Sequence, residues 1–332
     1  MRIKSVVCCL LLCLTNAAFA SLRNLEHLYV FGGDYVRLGE WCDAAGYALK
    51  WNRRDREIEL TGPARLNLEV DSRKLEINGV TVLLSLPVVN HNGVALISAA
   101  DVRTTLEPIL FPKKTAKRIK TICLDPGHGG KDTGKAVGSD YEKKYTLLLA
   151  RATAEMLRRE GFKVILTREA DEAIELPERP LRAEREGADL FVSLHYNAGE
   201  PGVRGLEVFC LTPAGLASSN EGGGPSGQSS ETGNGQDERN VLLAFELQKS
   251  VTRGLRLEDR GMKRARFEVL REARQPAVLI EGGFLSNPAD AKNIFDPNYR
   301  QRMAQAIVSG ILAYQRAIEL KVEPAAAKTG TN

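Results

Sequence analysis

Three segments of this sequence place a metal-binding or proton-moving side chain directly after an apolar run. Ile119 to Leu124 leads into Asp125-Pro126-Gly127-His128-Gly129-Gly130, Ala188 to Leu194 into His195-Tyr196-Asn197, and Ala277 to Ile280 into Glu281-Gly282-Gly283-Phe284. The chain holds four histidines, and two of them are spent in this way. Glu142 lies between them at the start of a helical pattern, where the helix dipole favours a carboxylate. Two imidazoles and one carboxylate (His128, Glu142 and His195) suit a single Zn2+ with a fourth tetrahedral position left open, the arrangement of a catalytic rather than a structural zinc. Such an ion lowers the pKa of water to about 7 and polarises a scissile carbonyl. Hydrolysis then needs a second, unligated carboxylate to carry the proton to the leaving group, a contribution of ~10²–10⁴-fold. Glu281 fits that role, because the two glycines after it leave room for a substrate.

Each residue alone has a plainer reading. The run from Asp125 to Gly130 could cradle a phosphate, although it lacks the Lys-Ser/Thr ending of such loops. His128 or His195 could be a satisfied structural histidine, Glu142 a helix-start charge, and Glu281 a buried ion-pair partner. Their conjunction at matching strand ends is what favours a site.

The elements that must position these residues alternate between strand and helix. The spacing predicts strands at Ile119 to Leu124, Lys163 to Thr167, Ala188 to Leu194, Leu206 to Leu211 and Ala277 to Ile280. It predicts a helix from about Glu142 to Gly161, and a last helix with Met303, Ile307, Ile311, Tyr314 and Ile318 on one stripe. This is the signature of a three-layer α/β domain with a mostly parallel sheet, spanning residues 119–318. In such sheets the chemistry gathers at the carboxyl ends of the strands.

Residues 119–316 resemble the zinc-dependent N-acetylmuramoyl-L-alanine amidases of the Amidase_3 type. The resemblance is carried by Leu124 to Asp132, Tyr141-Glu142-Lys143, Leu166-Thr167-Arg168 and Ala188 to His195. It continues with Asp259-Arg260-Gly261, Pro276 to Glu281 and Gly283 to Asn287. It implies His128, Glu142 and His195 as zinc ligands and Glu281 as catalytic acid/base. The implied reaction is cleavage of the amide between N-acetylmuramic acid and L-alanine in peptidoglycan. A non-catalytic wall-binding protein, or a zinc peptidase or deacetylase acting on wall fragments, are the alternatives. The sequence departs from the family pattern at Thr146 (usually Asn), Tyr196 (usually Ala) and Gly282 (usually Val). Tyr196 is expected to narrow or line the site.

Residues 29–110 read as a small strand-rich α+β unit. Ile58 and Leu60, Leu66, Leu68 and Val70, and Leu75 and Ile77 alternate with polar residues, and Asn78-Gly79 suits a tight hairpin turn. A short helix is expected from Val36 to Ala45 with Gly46 as its stop, and another after Ser98 as N-cap. Tyr35 to Leu38, Ala44-Ala45-Gly46, Trp51, Ile77 to Val80 and Val94 to Ile97 resemble the copper amine oxidase N-terminal-like domain. Nothing in the segment would hold copper, and the resemblance implies a binding or spacer role. A basic linker, residues 111–118, is expected to join the two units. Residues 215–238, rich in glycine and serine, are expected to be a disordered insert, and residues 319–332 a flexible tail.

Arg2 and Lys4, the apolar run Val6 to Leu14 and the small residues Ala18 and Ala20 have the layout of a signal peptide over residues 1–20. Export follows as an expectation, with the periplasm favoured over release to the medium. No later segment has the length and apolarity of a membrane span. Without the leader 44 basic residues face 42 acidic ones, a net +2, too slight and scattered for a nucleic-acid partner. Peptidoglycan is the expected partner; no protein activator is specified. Of the six cysteines only Cys42, Cys123 and Cys210 lie beyond the leader, with no metal-type spacing, and the latter two sit in apolar runs as expected of buried thiols.

Overall fold

The computed structural model describes residues 25–320, so the leader expected over residues 1–20 lies outside the described residues, as does most of the tail. Nine strands build the N-terminal unit: β1 (His27–Val30), β2 (Gly33–Arg37), β3 (Ala48–Arg53), β4 (Glu57–Thr61), β5 (Arg65–Glu69), β6 (Lys74–Ile77), β7 (Val80–Leu83), β8 (Val89–His91) and β9 (Val94–Ser98). Helix α1 (Leu38–Ala45) ends at Gly46, whose left-handed backbone closes it as the glycine predicts. A helical stretch over residues 99–110, α2, starts at Ser98, whose Oγ accepts from the Asp101 amide. Its middle, Val102–Leu106, is a π-turn.

The C-terminal half contributes β10 (Thr121–Pro126), a short hairpin of β11 (Ala136–Val137) and β12 (Asp140–Tyr141), β13 (Lys163–Leu166), β14 (Leu190–Asn197), β15 (Leu206–Leu211), β16 (Asp259–Ala265) and β17 (Ala277–Phe284). Its helices are α3 (Glu142–Arg159), α4 (Glu178–Arg185), α5 (Asp237–Leu255), α6 (Glu268–Arg271), α7 (Pro288–Phe295) and α8 (Pro297–Ile318). The sheet order is β13-β10-β14-β17-β15-β16. All neighbours are parallel except β15 and β17, which run antiparallel. On one face α3, α5 and α8 bury a large core that includes the whole predicted stripe of α8, from Met303 to Ile318. On the other, Ala183 of α4 and Val269 and Leu270 of α6 cover Cys123, Phe191 and Phe209. The result is the predicted three-layer arrangement. Cys42, Cys123 and Cys210 are buried free thiols.

Two features differ from the sequence reading. First, residues 111–118 do not mark a break in the sheet. The antiparallel meander β3 to β7 continues the C-terminal sheet, because β7 lies parallel to β16, and eleven strands form one sheet. The ladder there is a single pair, Met262 with Val82. Side chains complete the seam: Asp259 Oδ2 accepts from the Thr81 amide at 2.8 Å, and buried Arg264 donates to Thr104 O and Thr105 Oγ1. The residue 111–118 segment is itself tied to the end of α8, through the Thr115 amide to Ile318 O.

Second, residues 215–238 are not a disordered insert. Leu216 and Ser218 are buried. Ser218 and Glu221 form a capping box around a short 3-10 turn, and Glu231 and Asn234 form another. Ser219 bridges the two halves, its carbonyl accepting from Arg73 and its hydroxyl from the Arg264 amide. Composition counts apolar side chains, whereas this segment is held by caps and backbone hydrogen bonds that composition does not register. Among the described residues no helix is long and apolar enough to cross a membrane.

Candidate active site

The parallel strands deliver their carboxyl ends to one edge of the sheet, and buried Asp125 ties those ends together. Its carboxylate accepts from Thr167 Oγ1 after β13 (2.5 Å), Ser193 Oγ on β14 (2.7 Å) and Arg179 Nη1 on α4 (2.8 Å). Arg179 also donates to the carbonyls of Pro126 and His128. Arg168, wholly buried, donates to the carbonyls of Pro126, Gly127 and Lys143 and to Thr146 Oγ1. These two guanidiniums satisfy the backbone of the glycine-rich loop that β10 releases. The loop needs such support, because His128 has a left-handed backbone at φ 61°, a conformation that costs a non-glycine residue about 1–3 kcal/mol.

Within this frame the structure brings His128, Glu142 and His195 together, with one potential ligand atom from each lying within 4.8 Å of the others. His128 Nε2 is 3.0 Å from Glu142 Oε1, and His195 Nδ1 is 3.2 Å from the same oxygen. Glu142 opens α3, and its carboxylate accepts from the amides of Lys135 and Tyr196. Burial alone would raise its pKa, but the two imidazoles outweigh burial and hold it well below the usual carboxylate range. Burial also works against a proton on His128, yet hydrogen bonds to Glu142 and Asp132 outweigh it and shift that imidazole upward.

Glycines make the room. A Cβ on Gly127 would stand 2.2 Å from the His195 ring, and one on Gly134 2.6 Å from both Glu142 Oε2 and the His128 ring. No side chain larger than hydrogen fits at either position.

The donor set fits a divalent metal of borderline softness. On His128, Nδ1 faces Asp132 Oδ2 at 2.8 Å, which fixes the proton on that nitrogen and turns the Nε2 lone pair to the cluster. Asp132 was not among the residues singled out from the sequence as site residues. Its place four residues after His128, across a glycine turn, is the signal that could have found it.

Glu281 is paired in register with His195 on the neighbouring strand. It is not one of the three clustered groups. Its Oε2 is buried without a hydrogen-bond partner. Burial first, then repulsion from Glu142 and Glu207, raise its pKa well above the usual range. Glu207 on β15, in register with Glu281 from the other side, also escaped the sequence reading. It is held by Arg260 Nε (2.8 Å), Lys263 Nζ (2.5 Å) and Asn197 Nδ2 (3.0 Å).

Tyr196 does not narrow the site, contrary to the sequence expectation. It is 2% exposed and packs into the core beneath α3, α5 and α8. A Cβ on Gly282 would lie 3.2 Å from its ring and 3.4 Å from Met303. The departures at 196 and 282 are therefore one exchange, a larger side chain on β14 accommodated by a smaller one on β17. Thr146, the third departure, supports the glycine loop by donating to Gly127 O at 2.9 Å.

A three-layer α/β domain with a His-Glu-His cluster and an adjacent buried carboxyl at its strand ends has the form of a metal-site hydrolase. Residues 122–313 match the family described as N-acetylmuramoyl-L-alanine amidase, Amidase_3, and the chain belongs to that family. It is 32% identical over 218 residues to the N-acetylmuramoyl-L-alanine amidase CwlM of Bacillus licheniformis, covering 64% of this chain and 77% of CwlM. It is 34% identical to the probable cell wall amidase LytH of Staphylococcus epidermidis, covering 59% of this chain and 58% of LytH. The catalytic domain of CwlV, an amidase from Bacillus (Paenibacillus) polymyxa, superposes with a TM-score of 0.50 at 32% identity, over 60% of this chain and 99% of that domain. The protein is thus an enzyme of the peptidoglycan amidase class.

Proposed function

We propose that His128, Glu142 and His195 hold one zinc ion and that Glu281 is the general base and acid in hydrolysis of the N-acetylmuramic acid–L-alanine amide. The observation that carries this reading is the convergence of three ligand atoms within 4.8 Å beside a buried carboxyl that shares none of them. Bound zinc would supply Lewis acidity toward the lactyl carbonyl and toward water. The chain's own residues do the rest. Asp132 keeps the His128 proton on Nδ1. Glu281 takes the proton of the attacking water on its carboxylate and returns it to the alanine nitrogen as the C–N bond breaks. Burial and the neighbouring carboxylates Glu142 and Glu207 shift its pKa upward, which favours passing the proton on to the leaving nitrogen. Gly282 and Gly283 after it do not open the approach, contrary to the sequence expectation, because a Cβ on Gly282 would meet Tyr196 and Met303 and one on Gly283 would meet Asp290 and Ile294.

The leader at residues 1–20 supports export, with the periplasm as the place of action. The N-terminal unit serves as a binding or spacer element of the copper amine oxidase N-terminal-like kind. Digestion of purified peptidoglycan, with and without a chelator, tests the reading. Mass spectra of the products should show free lactyl groups on the glycan and stem peptides beginning with alanine. Cut peptide bonds within the stem, deacetylated sugars, or no release at all would overturn it.

A further inference from the structure

The opposite end of the same strands carries a second feature. Where β10, β14 and β17 begin, a cavity of about 340 Å³ opens between the residue 111–118 segment, the start of α5 and the end of α8. Leu190, which lines it, lies five residues before His195 on β14, about 17 Å away at ~3.3 Å per residue. The cavity is separate from the active site.

Its walls are rich in cations: Lys117, Arg118, Arg239 and Arg274 face two acids, Glu184 and Asp189. The acids are already engaged. Glu184 pairs with Arg274 at 3.4 Å, and Asp189 pairs with Lys117 at 3.0 Å while accepting from the amides of Lys120 and Thr121. Arg118 and Arg239 are left without a carboxylate among the described residues. A neighbouring hollow lined by Lys117, Arg118 and Lys120 extends the basic surface outward.

We infer that this cavity binds a phosphate-class oxyanion. Two unneutralised guanidiniums match the planar, multi-oxygen geometry of phosphate, which takes several donors at once. Tyr314 lines the same wall beside Arg239. The phosphate can be the free ion or one link of a phosphodiester polymer that reaches in from the basic surface.

The test uses the purified full chain titrated calorimetrically with inorganic phosphate and, separately, with poly(glycerol phosphate), against chloride at equal ionic strength. Phosphate is expected to bind and to raise the thermal midpoint where chloride does not. Arg118→Gln, at an exposed position, should keep the wild-type midpoint and weaken phosphate about tenfold, the factor carried by one charge-assisted hydrogen bond. Arg239→Lys, which keeps the charge and loses the fork, should weaken it similarly. Binding of both probes points to a polymer as the source, and binding of inorganic phosphate alone to the free ion. No phosphate effect beyond chloride, or equal affinity in both variants, would overturn the site.

Discussion

The two halves of the eleven-stranded sheet share a pleat and differ in what happens at the strand ends. In the N-terminal half each strand of the β3 to β7 meander returns antiparallel through a short turn, so the chain at each end is consumed by reversing direction. Strands β10, β14 and β17 are parallel, and each must leave its carboxyl end by a longer connection. Those carboxyl ends are free to carry side chains, and along one edge they hold His128 just after β10, His195 near the end of β14 and Glu281 near the end of β17. Strand direction, more than composition, decides which half can host a reaction.

The largest test of that difference falls on the parallel half. Glu281→Ala should lower turnover of peptidoglycan by ~10²–10⁴-fold, while metal analysis of the purified variant shows zinc retained. A variant with near-normal turnover would remove Glu281 from the mechanism. His195→Ala should lose both activity and zinc, and a full complement of bound metal would refute its role as ligand. Gly134→Ala should weaken zinc retention without touching a ligand, because a methyl there collides with Glu142 and His128. Unchanged metal affinity would count against the close-fitting loop.

Smaller effects probe the seam between the halves. Arg264→Ala leaves the carbonyls of Thr104 and Leu211 and the Thr105 hydroxyl without their buried donor. It should cost about 3 kcal/mol, and calorimetry of the wild type should show one unfolding transition. Two transitions, with Arg264→Ala affecting neither, would mean the halves fold as separate bodies.

The smallest effect belongs to the exchange at 196 and 282. Gly282→Val should cost about 1–3 kcal/mol through overpacking against Tyr196. Adding Tyr196→Ala should return part of that loss, and additive destabilisation in the double variant would break the pairing argument.

The residues of the cluster, His128, Glu142 and His195, were legible in the amino-acid sequence because their types are few and their placement beside apolar runs is local. The helix stops and caps at Gly46 and Ser98 were legible for the same reason. The seam was not. Strand β16 reads Asp-Arg-Gly-Met-Lys-Arg-Ala, without the alternation or apolar run that marks a strand, and its partnership with β7 joins residues 180 apart in the case of Val82 and Met262. The segment 215–238 was misread because hydrogen-bonded caps leave little trace in composition.

What the sequence determined by itself was the chemistry available: two imidazoles, two carboxyls and the glycines that admit them. Only the tertiary structure decided which carboxyl is buried without a partner, which carboxylate orients His128, and toward which face Tyr196 turns. Those outcomes rest on contacts between residues distant in the chain, and no local pattern of residue types encodes such contacts.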